Sequence, residues 1–387
     1  MKNRLIKTGL MIGIVLLLSL SAAGQVRAEE PDTAKTEESQ EELLEEFDFG
    51  EINDVLEDVF PEEKLDFGDL VRELVSGDVK GAASMAVDLV KDKLFYEIRA
   101  NKEGMVHILL IAVIAAVFTN FSSVFQNQQI SETGFYILYI LLMTVCITSF
   151  QVIMQSVSDS LNILLTFMKI LGPVYFLGVA FAAGSVSAVA FYNLVLLLIF
   201  LVELLILNFL IPLIHVEIMI NILNHLSQED YLSKLGELLH TVISWTLKTM
   251  LACVIGMNVI QGLLSPAIDS LKHSVVTRSA EAIPGIGDAL GGVAEVVLGT
   301  AVLIKNGIGV AGAVICVIIC LVPVIQVAVM ALMYKLAAAL IQPVSDKRIV
   351  GCISSIGDGC QLVLRTVFTT GVLFLLTIAV VAQTTGA

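Results

Sequence analysis

Charge is what this chain has least of. Asp, Glu, Lys and Arg make up 15% of its 387 residues, against about 25% in soluble globular domains, so one water-facing core of this size is excluded. Basic residues are the scarcer sign, 22 against 37 acidic, and no surface able to hold nucleic acid follows from so few. The six cysteines stand at 146, 253, 316, 320, 352 and 360. None precedes residue 146, so the N-terminal part has no disulfide framework. His107, His215, His225, His240 and His273 form no H-E-x-x-H cluster, and there is no Walker loop or dinucleotide fingerprint. The expectation is a protein with no catalytic residues, no cofactor and no metal.

Apolar residues take that place, at 57% of the chain with a mean hydropathy of +0.89. The fold class expected is all-α, a polytopic helical membrane protein with a small acidic helical extracytoplasmic N-terminal domain. Three divisions follow. Residues 1–28 carry Lys2, Arg4 and Lys7 before the apolar run Leu10 to Leu20, with Val26-Arg27-Ala28 as a cleavage site, which describes a signal peptide. Residues 29–104 hold 24 acidic and 8 basic side chains and form the acidic domain, flexible from Glu29 to Glu46. Residues 105–387 are the multi-span membrane domain.

The acidic domain contains a short repeat. Asp48-Phe49-Gly50 and Asp66-Phe67-Gly68 each open a stretch of helical periodicity, Ile52, Val55, Leu56, Val59, Phe60 and then Leu70, Val71, Leu74, Val75. Pro61 and Gly77 end the two helices, and a third is expected from Ala82 to Ile98. Small amphipathic helices suit docking to partners. The expected spans are Met105 to Phe125, Phe135 to Ile153, Ile163 to Ala183 (kinked or split at Leu171-Gly172-Pro173), Ala188 to Ile214, Leu247 to Leu264, a broken pair within 283–340, and Thr366 to Ala382. The polar stretch from Glu217 to Lys248 is an interfacial helix or hairpin.

The segment 283–340 is too apolar for a soluble surface and too glycine-rich for a soluble helix, where each interior Gly costs about 1 kcal/mol relative to Ala. A bilayer enforces helix regardless and rewards small residues at helix contacts. Gly291, Glu295 and Gly299 are spaced by four, as are Gly312, Cys316 and Cys320, on either side of the polar break Lys305-Asn306-Gly307. Ala289 to Ile304 gives about 24 Å of helix and Ile308 to Tyr334 about 40 Å, which describes a short half-helix followed by a long one bent at Pro323, either beside a wet cavity or as a closely packed hairpin. With the acidic domain outside, Lys335, Lys347, Arg348 and Arg365 lie inside if this pair crosses twice, which leaves the C-terminus outside.

Glu203, within an apolar run, is a pore or packing candidate because a charge near the bilayer centre costs at least ~2.5 kcal/mol; Lys169, Lys305 and Asn208 are its possible partners. Glu295, Lys305, Asn306, Gly291, Gly299, Gly307 and Gly312 complete that set. Gly285-Ile286-Gly287-Asp288 matches the Gly-x-Gly-Asp pattern of intramembrane aspartyl proteases, but Asp159, Asp269, Asp346 and Asp358 all fall at expected loops or span ends, so no second embedded carboxyl is available. Pro284, Gly285 and Gly287 instead form a turn and Asp288 caps the next helix.

A signal peptide, an acidic helical ectodomain and the segment AIPGIGDALGGVAEVVLGTAVLIKNGIGVAGAV, followed by a proline-bearing apolar helix, resemble the stage III sporulation protein AE family of endospore-forming bacteria. The resemblance implies a place in a multi-protein channel made in the mother cell during engulfment, in the outer forespore membrane. It implies as partners the other membrane proteins of the stage III sporulation operon, an ATPase and ring-forming proteins among them. Stage II sporulation protein Q on the forespore side would be met indirectly, through stage III sporulation protein AH. Copies of the chain itself are a further partner, and no nucleic acid is expected. It supplies no catalytic residues. On this basis the expected function is a pore or export gate, the alternatives being an assembly scaffold or a stand-alone permease.

Overall fold

A computed structural model describes residues 47–59, 66–76, 128–183, 185–226, 231–280 and 287–383, with a few isolated positions before residue 118, and leaves aside the side chains of 257–298. The signal peptide, the helix expected at Ala82 to Ile98, most of the span Met105 to Phe125, and Pro284 and Gly285 lie outside the described residues.

Two short helices come first, α1 (Gly50–Val59) and α2 (Phe67–Ser76). The repeated Asp-Phe-Gly explains both starts. Asp48 Oδ1 accepts from the Gly50 amide at 2.9 Å and Asp66 Oδ1 from the Asp69 amide at 3.0 Å, satisfying donors that a helix N-terminus leaves open. The phenylalanines meet at 5.4 Å between ring centroids. Asn53 ties the pair together, donating from Nδ2 to Asp66 Oδ2 at 2.9 Å and accepting from the Phe67 amide at 2.8 Å. Ile52, Leu56, Phe67 and Val71 are buried, on the face that periodicity selects.

The rest is a bundle of long helices: α3 (Gln128–Ala183), α4 (Ser185–Leu201), a π-helix π1 (Val202–Leu210), α5 (Ile211–Leu226), α6 (Ser233–Ala280), α7 (Gly287–Ile341) and α8 (Lys347–Gln383). There is no strand among the described residues. Among the described residues five stretches are long and apolar enough to cross a membrane: Thr133–Ala182, Val195–Leu226, Ser233–Gly256, Gly299–Ile341 and Lys347–Ala379. The chain is an all-α, polytopic helical membrane protein. Pro212 accounts for π1, since proline has no N–H for the Asn208 carbonyl and its ring crowds it. The turn before it widens, and the Ile211 amide bonds instead to the Ile206 carbonyl, five residues back.

Two expected breaks do not occur. α3 passes through Leu171-Gly172-Pro173 and through the polar residues 154–162 without interruption, so the spans Phe135 to Ile153 and Ile163 to Ala183 are one helix. α7 likewise runs through Lys305-Asn306-Gly307 and Pro323, so the broken pair is a single helix that does not cross twice. The reason is packing between these two helices. Gly312 receives Leu171, which would lie 2.7 Å from a Cβ at 312, and Gly309 receives the Tyr175 hydroxyl at the same distance. Knobs from α3 thus fill notches in α7, and contact over the whole length outweighs the local cost of glycine and proline. Gly299 has nothing within 4 Å of its Cβ position and is not part of this seam.

Removing two breaks removes two crossings, so the α7–α8 turn stays on the side expected for Lys335, Lys347 and Arg348. That end also holds the start of α3 and the end of α5, joined where the Tyr139 hydroxyl donates to the Ile222 carbonyl at 2.8 Å and Arg348 lies 3.7 Å from the Phe135 ring. The acidic helices pack at the other end, with Phe47 6.1 Å from Phe181 and α2 against α7. Arg365 is not at the same end as Lys347 and Arg348 but midway along α8.

Candidate functional site

The middle of α3 carries its chemistry on the wrong side for a helix surrounded by lipid. Thr148, Gln151, Gln155, Asp159, Asn162, Thr166 and Lys169 are all exposed, and at 100° per residue they occupy about 80° of arc. The opposite arc, with Phe150, Val157, Leu161 and Met168, is buried against the bundle. A lipid-facing surface is apolar, as it is on α4, where Leu196, Leu197 and Phe200 are exposed. The outer face of α3 has instead the pattern of a helix bordering water or another protein.

Its depth is fixed by contacts with α7. Ser156 Oγ donates to Gln326 Oε1 at 2.9 Å, and Gln326 lies close to the middle of the Gly299–Ile341 span. Gln155 Nε2 donates to Asp159 Oδ1 at 3.0 Å, one turn along the stripe. At that register the stripe runs from about the level of residue 334 to that of residue 313, from the α7–α8 end into the apolar part of α7, where a charge costs about 2.5–3.5 kcal/mol if left in lipid.

At one edge of the stripe Lys169 Nζ meets Glu203 Oε2 at 3.1 Å, with both side chains about half exposed (49% and 48%). Of the three partners open to Glu203, the structure selects Lys169, and π1 presents the carboxylate to it. Lys305 is elsewhere, fully buried in α7 and passed closely by Gly178 of α3, whose Cβ position is 3.5 Å from the Lys305 Cα. Asn306 is half-buried and Gly307 buried beside it. Gly291 and Glu295 are residues of α7, and Gly287 is its first residue; the side chains of Asp288 and Glu295 lie outside the described residues. The pore and packing candidates are thus not one constellation. Gly312 belongs to the α3–α7 seam, and Glu203 belongs to the outer stripe.

A second polar region takes in Glu217 and His240 from the stretch read as an interfacial helix or hairpin, and adds residues of α7 and α8 that the sequence did not connect to it. Glu217 of α5, 5% exposed, accepts from Asn221 Nδ2 at 3.1 Å and lies 3.4 Å from His240 Nδ1 of α6. Beside it Lys335 of α7 binds Asp358 Oδ1 at 2.7 Å and Ser354 Oγ at 2.9 Å. Asp358, exposed, is followed one and two turns later along α8 by Gln361 and the exposed Arg365. The signal was a 3–4 residue spacing of polar positions in α3 and α8, which is legible only once the segment is known to be one helix. Among the described residues no group of three or more His, Cys, Asp or Glu is placed to hold a metal.

Among the described residues, two cavities within the bundle are small. A cavity between α3, α4 and α8, bordered by Met168, Tyr175, Val195 and Ile378, holds about 20 Å³, room for one water. Another, between Phe47, Phe181, Ala301 and Ile304, holds none.

Comparison with known proteins bears on this arrangement. The family model described as stage III sporulation protein AE matches residues 65–385. The chain belongs to the stage III sporulation protein AE family. A relative of that description from Bacillus subtilis (strain 168) is 24% identical over 310 residues, covering 80% of this chain and 78% of its own. No solved structure matches. The stage III sporulation protein AE match takes in α2 and all of α3 to α8, so both outer polar faces lie within it, and a role in sporulation follows from the family. Only α1 and what precedes it fall outside.

Proposed function

We propose that this chain is a non-enzymatic membrane subunit of the mother cell–forespore channel that serves endospore development after engulfment, and that the aqueous conduit is bounded by several copies rather than threaded through one. The observation that carries this reading is the outward polar stripe of α3, which runs into the apolar part of the span. The interior supports it from the other side, since the cavities between the described helices hold no more than one water. It also counts against a stand-alone permease. The acidic end, with α1 and α2, faces the intermembrane space, and Lys234, Lys335, Lys347 and Arg348 gather at the cytoplasmic end, in keeping with the distribution of positive charge in membrane proteins. The acidic helices dock ring-forming partners of the same operon, and stage II sporulation protein Q is reached through them.

A scaffold is the second reading, favoured by the same small cavities. The polar stripe would then seat other membrane chains and never meet water. Single cysteines at Thr148, Gln151, Gln155, Asn162 and Thr166, in a cysteine-free background, decide between the two. A conduit gives labelling by a membrane-impermeant thiol reagent at these positions and not at Leu196 or Phe200. Protection of the whole stripe, with no solute flux from reconstituted protein, would leave the scaffold.

A further inference from the structure

We propose that neighbouring copies join through an ion pair between Asp159 of one copy and Arg365 of the next, closing the assembly as a head-to-tail ring. This deepens the multi-copy reading above and rests on it.

The argument is one of depth and direction. α3 and α8 both lie along α7, so α7 serves as a ruler. Asp159 is three residues beyond Ser156, which bonds Gln326, and this sets it near the level of residue 323. Arg365 is six residues short of Gly371, whose Cβ position is 2.8 Å from Cys320 Sγ, and this sets it near residue 326. At 1.5 Å per residue the two are within about 5 Å in depth.

They point away from each other. α3 and α8 touch where Phe150 comes 3.4 Å from the Cβ position of Gly359. Asp159 follows Phe150 by nine residues, about 180° round α3, and Arg365 follows Gly359 by six, about 120° from that contact on α8. One chain cannot bring them together, and among the described residues neither has an ion-pair partner. The other charges on or beside these faces are matched within the chain, Lys169 by Glu203 and, toward the α7–α8 turn, Asp358 by Lys335. Asp159 and Arg365 are left, opposite in sign, equal in depth and on opposite sides of the bundle.

Copies inserted in the same orientation present these two faces to one another at the same level. Two different faces make a heterologous contact, and such contacts close into rings by rotation. Gln361, one turn before Arg365, adds a hydrogen-bonding group to the seam, and Gln155 orients Asp159 from the conduit side.

The test uses the full chain in membranes, cysteine-free apart from Asp159→Cys in one tagged copy and Arg365→Cys in a second. The expected result is disulfide or short bis-maleimide crosslinking between unlike copies at least tenfold above that between like copies. Like-copy products alone, or no product while amine crosslinking still gives oligomers, would overturn the seam and leave the multi-copy reading intact. Monomers by amine crosslinking and native mass would remove both. A crosslinked ring that passes no solute would remove the conduit and keep the seam. Charge exchange supplies a second readout: D159R and R365D should each dissociate the oligomer and the double variant restore it, and failure of the double to restore a complex that both singles disrupt counts against the pair.

Discussion

A side chain at residue 312 is the smallest change that tests how α3 meets α7. A Cβ there would come 2.7 Å from Leu171, and since Leu171 is itself buried it has little room to yield. Gly312→Leu is expected to cost about 1–3 kcal/mol through overpacking, measured as a lower unfolding midpoint in detergent, while Gly299→Ala, with open space around it, leaves the midpoint unchanged. Gly299 and Gly312 look alike in the sequence, as members of two four-residue ladders of small residues. Only the neighbour that fills one notch and is missing from the other distinguishes them. Asn53 makes a residue-scale case of the opposite kind. Both of its amide atoms are used between α1 and α2, so Asn53→Ala should destabilise that pair by about 1–2 kcal/mol, read as faster amide exchange in residues 50–59 and 67–76.

At the scale of the element, π1 is where a local defect aims a functional group. Pro212 widens the preceding turn, and the added residue per turn shifts the face on which 202–210 project. Pro212→Ala lets the segment return to an ordinary α-helix and rotates Glu203 relative to α5 by about 100°. The Lys169–Glu203 contact should then be lost, and a Lys169→Cys/Glu203→Cys pair that crosslinks with Pro212 in place should fail to do so in P212A. Sequence reasoning singled out Glu203 and left it three partners, Lys169 among them, because an isolated acid in an apolar run has few ways of being satisfied. It did not find the asparagine, glutamines and aspartate of α3, which were assigned to a loop and to span ends. A polar residue lowers hydropathy wherever it points, whereas its meaning here depends on its being on the outer face of an uninterrupted helix.

For the whole molecule, the two ends of the bundle differ in charge, and the positive-inside preference predicts which way it inserts. Glu51, exposed on α1, and Val344, exposed in the α7–α8 turn, lie at opposite ends. Glu51→Cys is expected to label only from the extracytoplasmic side and Val344→Cys only from the cytoplasmic side. Labelling of both from one side would invert or abolish the arrangement proposed for the channel. The sidedness expected from the sequence is unchanged by the loss of two breaks, because each is worth one crossing and their effects cancel.

Composition and periodicity alone determined that this chain is helical, that it lives in a membrane, and that Asp48-Phe49-Gly50 and Asp66-Phe67-Gly68 open two amphipathic helices. Those properties depend on a residue and its near neighbours, or on an average over a span. Where the long helices continue, which glycines are filled and which polar face meets nothing inside the chain were decided by tertiary structure. Each depends on what a second helix places opposite a residue, and neither spacing nor hydropathy contains that information.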